Sequence, residues 1–232
     1  MRLIKTAIFM IFTAMMCILF TRDAFAMEFV VPVETLNNMG IDSKLSECVT
    51  KYKVGEDRSL NIEVAANYLN GTILNPGQPF SYNVVIGPRM VERGFGPGNA
   101  ISGGKYIKVI GGGICQLSST LNNAVLGAGI IPTERHNHST GVHYLPTGLD
   151  ATVSYGTLDY QFVNTLQYPV YIQALALNGV LKVALYSNHD ALNGYTYRTQ
   201  VVGNGKRNTT YLVANYGGVD VLTIPAYSSA YK

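Results

Sequence analysis

Charged side chains are scarce in this chain of 232 residues, at 13% of the total. The basic ones are scattered and the formal net charge is only +3. That argues against a nucleic-acid partner, because such proteins concentrate Lys and Arg into a patch or stripe. A mildly cationic surface suits an anionic cell wall instead. Apolar length is also lacking. The uncharged run Ala7 to Phe20 covers 14 residues, short of the roughly 20 that a spanning helix needs. Arg2 and Lys5 precede it and Ala24-Phe25-Ala26 follows. A short positive segment, an apolar stretch and a small-x-small site make an export signal. Residues 1–26 are therefore expected to be cleaved near Ala26, leaving a secreted, periplasmic or cell-envelope protein. Membrane attachment is expected only if that segment stays on. Cys17 lies inside the apolar run behind Met15 and Met16, where a lipoprotein site needs small residues, so lipidation is not expected.

Cysteine is the next shortage. Of three, Cys48 and Cys115 remain after cleavage. Two cysteines in an exported chain suggest a disulfide, although a chain of this length does not need a staple to hold a core. No repeat of fixed period and no low-complexity linker divides the sequence. What is abundant is Gly, at 24, and Tyr, at 16, a composition suited to strands and turns.

Residues 27–57 read as an irregular lead-in, with a possible strand over 45–54. The spacing of Ile62, Ala65, Ala66 and Leu69 predicts a helix over 61–70, with Asn61 as N-cap and Gly71 as left-handed C-cap. Phe80 to Ile86 reads as a strand, Gly94 to Gly104 as a loop and Tyr106 to Ile110 as a short strand. Leu117, Leu121, Ala124, Val125 and Ala128 keep helical spacing, predicting a second helix over 115–127. Beyond His143 the pattern turns to β, with strands expected at 151–155, 160–163, 170–177 and 180–186. Leu177-Asn178-Gly179 makes a hairpin turn. Residues 188–232 continue as a β-rich extension, with strands near 195–202, 209–214 and 219–224. The expected class is α+β: mostly antiparallel sheet with two principal helices.

The most distinctive segment is Gly111-Gly112-Gly113-Ile114-Cys115-Gln116. Three glycines in a row cost backbone entropy and pack nothing, so they imply a sharp turn, positive φ or close approach. Between a strand and a helix, they put Cys115 at a helix N-terminus, where free amides and the helix dipole favour a thiolate. Amides of Gly113, Ile114 and Gln116 are candidates for holding an oxyanion. No Gly-Lys-Ser/Thr follows, which excludes the nucleotide P-loop. A buried or disulfide-bonded cysteine beside a structural turn is the plainer alternative.

A cysteine nucleophile usually needs a base, and His136, His138 and His143 lie within eight residues of one another. Asp150, Asp159, Asn137 and Glu134 are candidates to orient the histidine's second nitrogen. His-x-His could also contribute to a zinc site, but no HExxH or paired CxxC accompanies it. No metal or cofactor is expected.

Several linked motifs resemble the VanW family, named for its association with vancomycin-resistance gene clusters. They begin with Asn61-Ile62-x-x-Ala65-Ala66 and Asn70-Gly71-x-x-Leu74-x-Pro76-Gly77-x-x-Phe80-Ser81-x-Asn83. The centre is Gly111 to Gln116, followed by Ser118-Ser119-x-Leu121-x-Asn123-Ala124. Glu134-Arg135-x-x-His138-Ser139, Tyr144-x-Pro146-x-Gly148-x-Asp150-Ala151-Thr152-Val153 and Asp159-x-x-Phe162-x-Asn164 complete it. The resemblance covers residues 58–187. It implies an exported L,D-transpeptidase acting on peptidoglycan stem peptides, forming 3-3 cross-links with Cys115 as nucleophile. The family histidine falls at His138. Asp150 is the expected orienting residue, and Arg89 or Arg135 the expected partner of a stem carboxylate. Cys48 lies outside the family pattern, and a disulfide to Cys115 would block the nucleophile. A cysteine peptidase or amidase on the same stems, and a non-catalytic wall-binding module, are the rival expectations.

Overall fold

A computed structural model describes residues 31–102 and 105–232. The expected export signal lies outside the described residues. The described elements are α1 (Val33–Asn38), β1 (Ser43–Lys51), α2 (Asp57–Leu69), β2 (Thr72–Leu74), β3 (Pro79–Ser81), α3 (Tyr82–Ile86) and a 3-10 turn (Val91–Arg93). They continue with β4 (Pro97–Ser102), β5 (Lys105–Ile110), α4 (Cys115–Gly127), β6 (Gln161–Val163), β7 (Val170–Leu177), β8 (Val180–Ser187), β9 (Tyr195–Gly203), β10 (Arg207–Tyr216) and β11 (Val219–Ala230). The class is α+β, with every named strand pairing antiparallel.

The central sheet has the order β1-β8-β7-β2, so the expected lead-in segment contributes an edge strand. Strand β7 alternates with period two: Val170, Ile172 and Ala174 enter the main core, while Tyr171 joins Leu36 and Ile41 in a smaller cluster. The period-two alternation sends these two sets to opposite faces, so α1 covers one side of the sheet and α2 and α4 the other. Leu117, Leu121, Ala124 and Val125 of α4 meet Ile62, Ala65, Ala66 and Leu69 of α2 in the main core. Asn178 and Gly179 both take positive φ between β7 and β8, the tight hairpin that Asn-Gly predicts. β9, β10 and β11 form a separate three-stranded sheet, and α4 also packs against β9.

Four local expectations are corrected. Helix α2 starts at Asp57 rather than Asn61, with Glu56 extended ahead of it. Asn61 is buried inside the helix, where its amide donates to the carbonyls of Gly96 (3.0 Å) and Gly112 (2.9 Å) and accepts from Gly96 N–H. Phe80 to Ile86 is not one strand, because Ser81 ends β3 and caps α3 by accepting the Val84 amide at 3.1 Å. The glycine-rich stretch contains β4, which pairs with β5 through Pro97–Ser102. Residues 151–155 make only isolated bridges, at Thr152 with His136 and Ser154 with Leu158, because side chains of α4 take up much of that backbone.

Candidate active site

The glycine turn is built by close approach. Gly111 and Gly113 adopt φ of 79° and 103°, the left-handed region that side chains disfavour. A Cβ on Gly112 would lie 2.0 Å from the Gly98 carbonyl oxygen. The turn is thus clamped between the β4 backbone and Asn61, and it aims the chain straight into α4. Cys115 is the first residue of that helix. The Ile114 amide bonds within the turn to Gly111 O at 3.4 Å, and the Gln116 amide to Gly113 O at 3.1 Å. Those two expected oxyanion donors are therefore engaged. Among the described residues the amides of Gly113 and Cys115 have no acceptor, which leaves them as the free donors of the set.

Polar side chains on α4 do the next step of assembly. Burying an unpaired hydroxyl or amide costs about 1–3 kcal/mol, so buried Gln116, Ser118, Ser119 and Thr120 need partners. The Gln116 amide donates to Thr50 Oγ1 (3.0 Å) and Lys51 O (2.9 Å), and accepts from Arg58 (2.8 Å). Ser118 donates to Ala151 O at 2.6 Å, and Ser119 accepts the Ala151 amide at 2.9 Å. Asn122 and Asn123 both donate to Leu149 O, at 3.1 and 2.9 Å. One face of the helix therefore grips residues 149–151 and fixes Asp150 within them.

Asp150 is buried and accepts at both oxygens. Oδ2 takes the His138 amide at 2.7 Å and faces His138 Nδ1 at 2.6 Å. Oδ1 takes Arg135 at 3.1 Å and the Tyr231 hydroxyl. With Nδ1 occupied, Nε2 is the imidazole nitrogen left for the Cys115 thiol, which lies near enough to His138 for each to shift the other's titration. Thr152 Oγ1 and Val153 O also lie 3.5 Å from the sulfur. Burial opposes the charge on Cys115, but the His138 contact outweighs it and holds the thiol below its ordinary range. Burial likewise opposes charge on His138, yet Asp150 and Cys115 raise it to about 9. Asp150 is held below the usual carboxylate range: burial opposes this, and hydrogen bonds from His138 and Tyr231 prevail with the Arg135 charge. Both shifts favour the charged forms, thiolate on Cys115 and imidazolium on His138.

The structure thus brings Cys115, His138 and Asp150 together, with His138 hydrogen-bonded to Asp150 and the Cys115 thiol beside the imidazole. It does not bring the other histidines there. His136 pairs with Glu134 at 2.9 Å, and exposed His143 stacks edge-on against Tyr144. Asp159 anchors α3 through Ser81 and the Asn83 amide, and Asn137 bonds Ala230 O. Cys48 and Cys115 are both free, and burial pushes the Cys48 thiol up to about 11. Arg135 faces inward, its side chain 2% exposed, with Asp150, Ser229 and the Tyr227 ring around it. Arg89 lies between the rings of Tyr82 and Tyr155, its Cβ against Gly111. Its Nε and Nη2 are buried without a hydrogen-bond partner among the described residues. Sequence reading missed Thr152, Ser119 and Tyr231. The first two sit inside the motifs quoted above, but Tyr231 carries no local signal.

A family model described as VanW like protein matches residues 57–186. The uncharacterized protein YoaR of Bacillus subtilis (strain 168) is 36% identical over 163 residues, covering 66% of this chain and 54% of that protein. The vancomycin B-type resistance protein VanW of Enterococcus faecalis (strain ATCC 700802 / V583) is 29% identical over 114 residues, covering 47% of this chain and 42% of that protein. The chain spans about half the length of the curated relatives it matches. No solved structure matches it.

Proposed function

The chain belongs to the VanW family, and from that premise we propose that it is an exported thiol acyltransferase of the L,D-transpeptidase type, acting on peptidoglycan stem peptides. The observation that carries the reading is the buried His138–Asp150 hydrogen bond set beside Cys115 at the start of α4. The resistance named for the Enterococcus relative supports a cell-wall substrate, and the character of residues 1–26 supports export.

In this reading the Cys115 thiolate attacks the carbonyl carbon that joins the third residue of a donor stem to its terminal D-alanine. The oxyanion accepts hydrogen bonds from the Gly113 and Cys115 amides, donors fixed in place before the reaction. The His138 imidazolium gives its Nε2 proton to the departing amine, the C–N bond breaks, and a thioester remains. An acceptor amine from a second stem passes a proton to His138 and attacks the thioester. The 3-3 amide forms and the thiolate is released. Asp150 keeps the imidazole in orientation throughout and stabilises its charged form. Arg89, with donors unpaired beside the glycine turn, is assigned to a stem carboxylate, and Arg135 acts through Asp150.

Intact-mass measurement with a tetrapeptide-stem muropeptide under reducing conditions tests this. An acyl adduct on the wild type, absent from Cys115→Ala, is the expected result. Cross-linked dimers among the products identify transfer, whereas trimmed monomers alone identify a peptidase. Binding without any adduct would replace the enzyme reading with that of a wall-binding module.

A further inference from the structure

We infer that the chain beyond the family-matched segment is a working part of the cysteine centre, with Tyr231 as a positioning residue for Asp150. The matched segment ends at residue 186, yet the end of β11 and the residues after it converge on the base. The Tyr231 hydroxyl donates to Asp150 Oδ1 and accepts the Gly148 amide at 2.7 Å. Ser229 Oγ accepts from Arg135 at 2.7 Å, and the Tyr227 ring lies 4.2 Å from that guanidinium. Ala230 O accepts from the Asn137 side chain at 2.6 Å, and the Lys232 amide donates to Ser139 O at 2.8 Å. These last two contacts bracket His138 in sequence.

The arrangement answers a need of the local backbone. Residues 134–152 make only isolated bridges, so no ladder of their own fixes the carboxylate plane. Two donors from His138 hold Oδ2, while Oδ1 relies on Arg135 and Tyr231. The charged and titratable groups facing Asp150 are His138, Arg135 and Tyr231, with Tyr227, Tyr144 and Cys115 close by. Tyr231 is the neutral donor of the three that touch it. Without its hydroxyl Asp150 loses one of the two side chains that fix Oδ1, so the carboxylate is held out of line and orients the imidazole, and through it the thiol, less well.

The inference rests on Cys115 and His138 as a reactive pair, not on the stem-peptide substrate, and its test needs no muropeptide. Alkylation of Cys115 by iodoacetamide is followed from about pH 5 to about pH 10 in the full chain carrying Cys48→Ser. Tyr231→Phe is expected to slow alkylation about tenfold on the acid side, equivalent to moving that limb up about one pH unit, with the alkaline plateau unchanged. In an Asp150→Ala background the same change is expected to do nothing further. Equal slowing in both backgrounds, or none in either, overturns the inference. Ser229→Ala, which touches Arg135 and leaves the tyrosine in place, is the second variant should Tyr231→Phe fail to fold. It is expected to give the same signature at smaller size, and its overturning result is again equal slowing with and without Asp150. A normal alkylation pattern with no muropeptide adduct would discard the substrate and keep Tyr231 in its role.

Discussion

Residues 111–127 form a turn and a helix: Gly111 and Gly112 donate to Gly96 O and Val109 O, and from Ile114 onward the backbone hydrogen bonds are made inside the segment. Residues 134–152, which carry His138 and Asp150, make isolated bridges only and are tied down by side chains from α4 and from the chain after β10. Cys115 therefore sits on a helix that makes its own ladder, while His138 sits on a segment that others hold. Changes in the first should be felt as lost fold with the protonation of Cys115 unaltered, whereas changes in the second should reach the protonation of Cys115 as well.

The largest effect expected on that comparison comes from His138→Gln. Loss of the base should cost about 10²–10⁴-fold in acylation. The sign of the pH response follows from the shifts. In the wild type the reactive pair exists above the lowered Cys115 value and below the His138 value of about 9, so alkylation and acylation should share an acid limb. Acylation should also fall through about pH 9 as the imidazolium is lost. Without the imidazolium, burial of Cys115 is opposed only by the Val153 and Thr152 contacts, so the acid limb of alkylation in His138→Gln should move up. A variant whose limb stays in place would break the pairing of the two segments.

Arg135→Met comes next. The Arg135–Asp150 pair is buried, with side chains 2% and 1% exposed, and removing one partner of such a pair destabilises by about 3–5 kcal/mol. Urea unfolding should report that loss, and acylation should fall with it. Smaller again is Gly112→Ala. A Cβ there meets the β4 backbone at Gly98, and overpacking of this kind costs about 1–3 kcal/mol. Its melting temperature should drop while the pH profile of the remaining folded protein stays in place, which would sharpen the contrast between the segments. Least of all, Cys48→Ala should cost under about 1.5 kcal/mol, since it removes little volume from a half-buried strand position. It should leave Cys115 alkylation unchanged.

Legibility in the sequence followed the same division. The period of Leu117, Leu121, Ala124 and Val125 and the three glycines before Cys115 located a helix beginning at the cysteine, and α4 spans Cys115–Gly127. The Asn-Gly turn and the strands around it were equally visible, because φ preferences and side-chain periodicity act within a few residues. Asn61 misled, since an Asn that caps a helix and an Asn buried within one look alike until its partners, Gly96 and Gly112, are known. The segment 80–86 misled because its apolar residues suit a strand, while the Ser81 cap starts a helix at Tyr82.

What the sequence determined by itself is where Cys115 stands and why its backbone can turn there. Glycine conformation and helix periodicity are local properties of the chain. What only the tertiary structure decided is which partners meet it. His138 was favoured over His136 by resemblance, but the imidazole is oriented by Asp150, twelve residues away, and Asp150 in turn by Tyr231, 81 residues away. The free amides, Gly113 and Cys115, were separated from the engaged Ile114 and Gln116 only by the bonds made within the turn. Hydrogen bonds across such separations depend on how whole elements pack, and no spacing in the sequence encodes them.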